Sequence, residues 1–514
     1  MHNCFPTAVT VIAAAVFCSP VAANIYYVDV EHGSDDNSGT AIGSAWAHLP
    51  GTVGAYGFGW ATLVDGDTVV VKGGTTNNVQ VKFTSDFYNG IARFDSIKVL
   101  SGHLNNPAWG TGQAIIDGQK MLTFGLWFTG SSSSSPLQGI TLDGFEIRNI
   151  APGGVPGFDP HSGSSCVLVG GSYQAHFFTI RRCYLHDAFR TIDDTGHGIE
   201  AEGHDFLAYW NTIGPNIGTK GIEVSGFGGA VSNNFISGTG DHCIALNRAT
   251  NFDVCNNLVR QAGPQVHSPT FCISVALAAF NDVWNNILFD SENKNYTQPW
   301  SSGIGVYGSS STLGNHFYHN TLYRLQNGGG VGSPITVGDS GNPINQLFEN
   351  NLVLNCTNAA GNSFMVYVAG KLLSTRTTIK FNCIWDGVAT HTVCGWNDGD
   401  YHYATVPGFS QPGITFQNNV QIDPLITGGP WPTGLDSNYH PNTTYFKPTF
   451  ATSPKILISS NKLLGDPAYG YNSDPNKFCR DILGVKRTGW SMGAYEMSPV
   501  ILPTPTGLRA IPGS

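Results

Sequence analysis

The sequence predicts an all-β fold, a right-handed parallel β-helix (a single-stranded β-solenoid) with capping segments at both ends, and three observations favour it. The chain of 514 residues has 64 glycines, 41% hydrophobic residues and only 12% charged residues. This composition indicates many turns and short strands around an apolar core. No sustained helical periodicity runs through the sequence. Two sequence marks also recur together at similar spacing in successive segments, as expected for stacked coils.

The first mark is a short aliphatic run in which one central position is always Ile or Val. That position recurs at intervals of 22 to 32 residues. Alternate side chains of a strand point to the same side, so these residues can stack as one interior ladder. The eight positions are Val167, Ile199, Ile222, Ile244, Ile273, Ile304, Ile335 and Val366.

The second mark is an asparagine that follows the aliphatic position by 12 to 16 residues. Asparagine tolerates left-handed backbone geometry, which suits a tight corner, and stacked asparagine amides can bond to one another. We therefore expect these residues at one corner of successive coils. A β-propeller is the alternative fold, but its repeats are longer and contain four strands each. The seven positions are Asn211, Asn234, Asn257, Asn286, Asn320, Asn351 and Asn382.

The two ends of the chain differ from its repetitive middle. An apolar run at residues 8–17, followed by small residues at 21–23, has the pattern of a signal peptide. The run is too short to span a bilayer. We divide the chain into a signal peptide at 1–23, an N-terminal cap with the first coils at 24–130, regular coils at 131–390, a C-terminal capping region at 391–500 and a linker or tail at 501–514.

Charge and cysteine usage limit the partners of the protein. The formal net charge is −10 and no basic run is present, so the sequence does not indicate nucleic-acid binding. No segment approaches the ~20 apolar residues of a membrane span. After residue 23, nine widely spaced cysteines remain without metal-site spacing, and we interpret them mainly as small core residues. We expect a monomer.

Two segments near the ends of the chain resemble those of a known group of proteins. The segment Tyr27–Asp29, followed by residues 33–40, is similar to the opening of many secreted β-helix proteins of the pectate-lyase-like superfamily. The segment Asp481–Gly484, with residues 493–496, resembles their closing motif. The resemblance implies a parallel β-helix with a polysaccharide as its partner. The superfamily includes lyases, hydrolases, epimerases and proteins with no known activity, and fold alone does not choose among them.

The motifs that would assign a subfamily are rearranged in this chain. Polygalacturonase-type hydrolases carry Asn-x-Asp, Asp-Asp and Gly-His-Gly on three separate coils. Here Asp193 and Asp194 share one coil with the segment Gly196–Gly198. Calcium-dependent lyases of the superfamily place a Lys or Arg base beside carboxylate ligands, and no one such motif is copied cleanly. The subfamily is therefore left unassigned.

The aligned coils bring titratable side chains to one place on the solenoid. Glu200 and Glu223 each follow an aligned Ile, so both are expected to point outward on adjacent strands ~4.8 Å apart. Two carboxylates that close repel unless a cation or a shared proton separates them, and oxygen ligands at that spacing suit Ca²⁺. The expected calcium ligands are Glu200, Glu223, Asp194 and Asp241, and the candidate catalytic bases are Lys220, His242 and His197.

Further candidates surround this cluster. Arg248 is expected to neutralise a uronate carboxylate through its planar guanidinium. The coils that follow carry insertions at residues 262–270 and 290–301. Loops of this kind can form the wall of a groove, and their aromatic side chains offer flat apolar faces to sugar rings. The candidate substrate-binding residues are Tyr296, Trp300 and His267.

These features lead to three hypotheses on function. The first is an extracellular polysaccharide lyase, in which a base removes the proton α to a uronate carboxylate of an acidic polysaccharide and a cation stabilises the developing charge. The second is a polysaccharide hydrolase that uses a carboxylate pair on the same face. The third is a glycan-binding or adhesin solenoid without turnover. The sequence favours an enzyme, and the lyase is the first hypothesis.

We predict that the protein is secreted and that cleavage leaves a mature N-terminus at or near Asn24. The reason is that signal peptidase cleaves such apolar leaders after small residues. N-terminal sequencing of the exported protein tests this prediction. An intact Met1 on protein retained in the cytoplasm would contradict it.

Overall fold

A computed structural model of the chain contains 38 β-strands and two short 3₁₀ helices within the described residues. The helices are Ile42–Ser44 and Val406–Gly408. Among the described residues, no helix is long and apolar enough to cross a membrane. The structure describes residues 23–55, 57, 59–102, 108–132, 134–151, 164–170, 175–189, 196–260, 271–289, 303–327, 333–338, 343–358, 365–368, 376–388, 390–397 and 400–422.

The chain winds in coils around an apolar core, and the strands of each coil form three faces. Neighbouring strands on a face come from successive coils and run parallel, in register. This arrangement is a parallel β-helix and confirms the predicted fold class. The signal-peptide prediction and the predicted tail fall outside the described residues, apart from Ala23, and the monomeric state stays a prediction.

We name the three faces A, B and C, and number the strands in chain order. Face A contains β5 (Val81–Phe83), β9 (Phe124–Phe128), β13 (Ser165–Val169), the first parts of β16 (His197–Tyr209), β18 (Ile222–Ser232) and β20 (Ile244–Cys255), then β22 (Ile273–Ala276), β25 (Ile304–Tyr307), β29 (Ile335–Val337), β33 (Val366–Val368) and β36 (Cys394–Asn397). An antiparallel strand, β37 (Tyr401–Ala404), pairs with the last of these.

Face B contains β1 (Ile25–Val28), β3 (Thr68–Val71), β7 (Ile97–Ser101), β10 (Leu137–Gln138), β11 (Ile140–Asp143), β14 (Ala175–Arg181), the second parts of β16, β18 and β20, then β23 (Asp282–Trp284), β26 (His316–Tyr318), β30 (Leu347–Glu349), β34 (Thr377–Lys380) and β38 (Ile414–Gln417). The three long strands bend at the corner between faces A and B. Where β18 and β20 bend, the pairing register shifts between Val224 and Gly226.

Face C contains β4 (Thr76–Asn77), β8 (Ile115–Asp117), β12 (Glu146–Ile150), β15 (Tyr184–Ala188), β17 (Thr212–Ile213), β19 (Phe235–Ser237), β21 (Leu258–Arg260), β24 (Ile287–Phe289), β27 (Thr321–Tyr323), β31 (Leu352–Leu354) and β35 (Cys383–Trp385). Two small parallel pairs complete the described strands. They are β2 (Leu63–Val64) with β6 (Tyr88–Asn89), and β28 (Gln326–Asn327) with β32 (Thr357–Asn358).

The predicted interior ladder is present on face A. All eight aliphatic positions are fully buried and belong to one continuous core cluster. Burying each such side chain contributes about 1.5–3 kcal/mol relative to leaving it exposed. The eight cysteines in the described residues are also buried and form no disulfide, which confirms their interpretation as core residues. Cys479 lies outside the described part of the chain.

The predicted asparagine ladder is present at the corner that leads into face C. Asn257 is typical: its Nδ2 donates to Val231 O at 2.8 Å and to Asn286 Oδ1 at 2.9 Å. Its Oδ1 accepts hydrogen bonds from the main-chain N–H and from Nδ2 of Asn234, both at 3.0 Å. The same pattern continues beyond the seven predicted positions to Asn419. Each amide therefore ties its own coil to the coils before and after it.

The left-handed backbone at this corner lies one residue earlier than expected. The ladder asparagines were expected to adopt it themselves, but the residue before each of them has the positive φ. The main-chain N–H of the ladder asparagine donates to the next amide in the stack. The left-handed residue that turns the chain at the corner therefore comes just before the asparagine. These preceding residues are Trp210, Asn233, Asn256, Asn285, His319, Asn350, Phe381 and Asn418.

We predict that Asn257→Ala lowers the free energy of unfolding by about 3 kcal/mol or more. The substitution leaves the buried Val231 carbonyl and the Asn234 N–H without their partner, and each unsatisfied group costs ~1–3 kcal/mol. Denaturant unfolding measures the loss. The control is Asn251→Gly, because Asn251 is exposed and has a positive φ of 58° that glycine adopts easily. Equal stability of the two variants would contradict the role of the ladder.

Candidate functional site

Face A carries a column of outward-pointing side chains that crosses the coils. The register pairs Glu200 with Glu223, Glu223 with Ala245 and Ala245 with Ser274. Each pair lies on neighbouring strands, which are ~4.8 Å apart. The prediction that the two glutamates sit side by side on adjacent coils is confirmed.

A second column lies where each coil enters face A. Main-chain N–H groups of residues 198, 221 and 243 donate to carbonyl oxygens of the following coil, and this aligns the residues just before them. The column faces the same side as the glutamates, since Lys220 Nζ lies 3.0 Å from Glu223 Oε2. The aligned residues are His197, Lys220, His242 and Phe271.

The two columns border a cleft of about 400 Å³, a volume common among small-ligand sites. Its floor consists of small side chains, which leave space above the sheet. Its walls carry groups that can ionise or form hydrogen bonds. The lining residues are Lys220, Glu223, Asp241, His242, Ala245, Asn247, Ser274, Ala276, Leu277, Tyr307 and Gly308.

Both carboxyl oxygens of Glu223 accept a hydrogen bond from a neighbouring side chain. Lys220 Nζ donates to its Oε2 at 3.0 Å, and Asn247 Nδ2 donates to its Oε1 at 3.1 Å. The side chains of Lys220 and Glu223 are only 10% and 11% exposed, so water screens the pair weakly and the ionised form of each favours that of the other. Lys220 is therefore paired with Glu223, and its predicted role as a catalytic base stays untested.

Glu200 lies one coil before Glu223 and has different partners. Ser165 Oγ donates to Glu200 Oε2 at 2.8 Å. The ring of His197 lies close to both glutamates, with its Nδ1 3.4 Å from Glu200 Oε2 and 3.8 Å from Glu223 Oε2. His197 is almost fully buried and does not line the cleft, and its predicted role as a base stays untested.

His242 orients a tyrosine across the cleft. The main-chain N–H of Phe271 points at His242 Nδ1 from 3.2 Å, and His242 Nε2 lies 3.0 Å from Tyr307 Oη. Asp241 Oδ1 is also 3.3 Å from Nδ1, but a proton on Nδ1 would face the Phe271 N–H. Nδ1 is therefore an acceptor, and the neutral ring donates from Nε2 to Tyr307. The predicted role of His242 as a base stays untested.

Tyr307 is kept in its neutral form. Burial raises the pKa of Tyr307 to about 12, although a hydrogen bond with Ser274 and the charge of Lys220 act in the opposite direction. Its ring packs against Phe271 with centroids 5.9 Å apart. Phe271 in turn lies over Gly305, where an added Cβ would come within 2.5 Å of the phenyl ring. Glycine at 305 therefore lets the aromatic wall of the cleft lie close to the sheet.

The described carboxylates fit the predicted calcium site poorly. Both oxygens of Glu223 and one oxygen of Glu200 already accept hydrogen bonds from protein donors. Asp194 lies outside the described residues, so Ca²⁺ stays a prediction. Within the described residues, one group of three side chains could reach a common ion, and it lies far along the chain near the N-terminus. That group is Asp29, Glu31 and His32.

The remaining predicted residues are not brought into the cleft. Arg248 is exposed at the bend between faces A and B, with a positive φ of 57°, and is not among the cleft-lining residues. Its expected contact with a uronate stays a prediction. The predicted substrate-binding residues Tyr296, Trp300 and His267 fall outside the described part of the chain.

Three cleft residues were missed in the sequence: Asn247, Ser274 and Tyr307. Ser274 follows an aligned Ile by one residue, and Asn247 and Tyr307 follow one by three. These are the outward positions of a strand, so the register offered a signal. We predicted only carboxylates and bases at such positions, and neutral side chains there can form hydrogen bonds with a ligand as well.

Known proteins similar to this chain are distant. No family model matches the sequence, and no curated protein matches it. Among solved structures, pectate lyase Pel9A is 14% identical with a TM-score of 0.49, covering 93% of this chain and 98% of that one. A rhamnogalacturonan lyase is 14% identical with a TM-score of 0.43, covering 84% and 98%. A GH136 lacto-N-biosidase from Eubacterium ramulus is 13% identical with a TM-score of 0.41, covering 70% and 64%. None of these similarities carries an activity over to this chain.

We predict that Lys220 and Glu223 are energetically coupled. Lys220→Met or Glu223→Gln alone should lower the free energy of unfolding by about 3 kcal/mol, since each leaves a nearly buried charge without its partner. The double variant should lose less than the sum of the two, with a coupling of about 1–3 kcal/mol. Denaturant unfolding of the three variants measures it. Strict additivity would contradict the pairing.

Proposed function

We propose that this protein is a carbohydrate-active enzyme that hydrolyses a glycosidic bond at the end of the cleft, with Glu200 and Glu223 as the carboxyl pair. The observation that carries the proposal is the register of these two residues on adjacent strands, ~4.8 Å apart. Retaining glycosidases place their two carboxyl groups ~5–5.5 Å apart. Side chains at paired positions of neighbouring strands can hold their carboxyl groups at about this separation, which supports a retaining reaction.

The different surroundings of the two glutamates support different roles. Glu223 lines the cleft and accepts hydrogen bonds from Lys220 and Asn247, and a carboxylate oriented by two donors suits a nucleophile. Two adjacent carboxylates favour a shared proton, and we place that proton on Glu200, whose Oε2 accepts a hydrogen bond from the neutral hydroxyl of Ser165. Glu200 is then the general acid.

The proposed reaction has two steps. The Glu223 carboxylate attacks the anomeric carbon of the sugar in the cleft, and Glu200 gives its proton to the departing glycosidic oxygen, so the bond to the rest of the glycan breaks. Water then attacks the glycosyl ester, with Glu200 accepting a proton from it. The sugar leaves with its anomeric configuration retained, and both glutamates return to their starting forms.

The charges in the cleft support hydrolysis over β-elimination, although the sequence favours the lyase. A lyase needs a cation that faces the uronate carboxylate and a base that removes its α-proton. Among the described cleft-lining residues, Lys220 is the one cation and is paired with Glu223, while Asp241 adds a second negative charge. An acidic sugar would meet repulsion there.

β-Elimination remains the second candidate because of Lys220 and Tyr307. If a uronate displaced Glu223 from the Lys220 ammonium, that ammonium would stabilise the charge that develops on the substrate carboxylate. Tyr307 could then give a proton to the departing oxygen. The products distinguish the two reactions, since elimination leaves an unsaturated uronate that absorbs ultraviolet light and hydrolysis does not.

We predict that Glu200→Gln and Glu223→Gln each lower kcat by about 10²–10⁴-fold on a polysaccharide that the wild type cleaves, because each removes one member of the acid–nucleophile pair. Product analysis of neutral and acidic polysaccharides identifies the substrate. Nuclear magnetic resonance of the first product then reports its anomeric configuration.

The matched control is Glu31→Gln, a half-exposed glutamate near the N-terminus, which should keep wild-type activity. An unsaturated product would replace hydrolysis by the lyase alternative. Binding of a glycan without any product would favour the non-catalytic solenoid.

A further inference from the structure

We infer that Tyr307, oriented by His242, is the residue that selects the sugar in the cleft, and that the cleft accepts an uncharged sugar unit and rejects a uronate. This inference rests on the proposed function, because it assigns the substrate class of the same site. It adds two residues that the reaction itself does not need. Tyr307 contacts the sugar, and His242 acts by orienting Tyr307.

The direction of the Tyr307 hydroxyl follows from its neighbours. The Phe271 N–H occupies His242 Nδ1, so the imidazole donates from Nε2 to Tyr307 Oη at 3.0 Å. The tyrosine oxygen thus accepts from His242, and Ser274 also forms a hydrogen bond with it. Tyr307 and Ser274 both line the cleft, so a sugar hydroxyl beside them can take the Tyr307 proton in place of Ser274. Tyr307 therefore offers a neutral donor to a ligand in the cleft.

The other polar groups of the cleft also suit an uncharged polar ligand. Asp241 and Glu223 offer carboxylate oxygens, which accept hydrogen bonds from sugar hydroxyls and repel a carboxylate. A neutral phenol donates to a hydroxyl without contributing the positive charge that an arginine would bring to a uronate. The cleft therefore presents acceptors with one neutral donor, and this pattern complements hydroxyl groups.

The shape of the cleft supports the same ligand class. Ala245, Ser274 and Ala276 keep the floor low, and the ring of Tyr307, which packs against Phe271, forms part of the wall. Leu277 lies at the rim with 37% of its surface exposed. A pyranose ring has both C–H faces and hydroxyl edges, so it can place its apolar face on Leu277 while its hydroxyls meet Tyr307 and Asp241.

The test uses Glu200→Gln as a binding-competent variant that should not turn over its ligand. It is applied to an array of neutral, uronate-containing and sulfated oligosaccharides, and calorimetry then measures affinity for whichever oligosaccharide binds. We expect binding to neutral oligosaccharides. Adding Tyr307→Phe should weaken it at least tenfold, and adding the exposed control Tyr403→Phe should leave it unchanged.

The role of His242 is tested in the same background. His242→Ala should weaken binding about as much as Tyr307→Phe, whereas His242→Gln, whose amide can still donate to Tyr307, should restore part of it. Circular dichroism checks that both His242 variants remain folded. A change in stability alone would then not make His242→Gln bind more tightly than His242→Ala. Equal loss in both would overturn the positioning role.

Two outcomes overturn the inference as a whole. One is preferential binding of uronate-containing or sulfated oligosaccharides, and the other is no binding to any glycan on the array. Failure of the proposed hydrolysis is a separate result. If neutral oligosaccharides bind in a Tyr307-dependent way but the wild type never cleaves them, the sugar-binding inference holds and the catalytic proposal fails.

Discussion

The asparagine ladder is the interaction on which the rest of the molecule depends. A coil of a β-helix can bury its aliphatic side chain only if the next coil stacks on it without slipping. Each ladder amide binds the coil before it and the coil after it, as Asn257 does with Asn234 and Asn286. These bonds are buried, so a slipped register would leave several polar groups unsatisfied, each at a cost of ~1–3 kcal/mol. The ladder therefore fixes the vertical alignment of the coils.

That alignment creates the candidate site on the opposite side of the coil. Residues far apart in sequence become neighbours because they hold the same position in successive coils, as Glu200 and Glu223 do. Small residues at the same position one and two coils later open the cleft beside them. The site needs no dedicated loop to assemble these groups, since strands on a rigid scaffold hold them. A shift of one residue would turn each side chain to the other face.

The fold was predictable from the sequence because most coils repeat the same two features, an aliphatic side chain in the interior and an asparagine amide at the corner. The second ladder at the corner between faces A and B, formed by Asn281, Asn315 and Gln346, went unnoticed because it spans few coils. The adjacent glutamates were predictable for the same reason as the fold. The partners of Lys220 and His242 were not, since side-chain direction and the Phe271 N–H depend on local packing that a repeat pattern does not encode.

The most direct test of the account is a crystal structure of Glu200→Gln with a bound oligosaccharide. We expect a neutral sugar unit in the cleft between Glu223 and Tyr307, with its anomeric carbon beside the Glu223 carboxylate and the glycosidic oxygen toward residue 200. The rest of the glycan should extend over the coils that precede Glu223. Density for the oligosaccharide on another face, or in the cleft with its anomeric carbon turned away from Glu223, would contradict it.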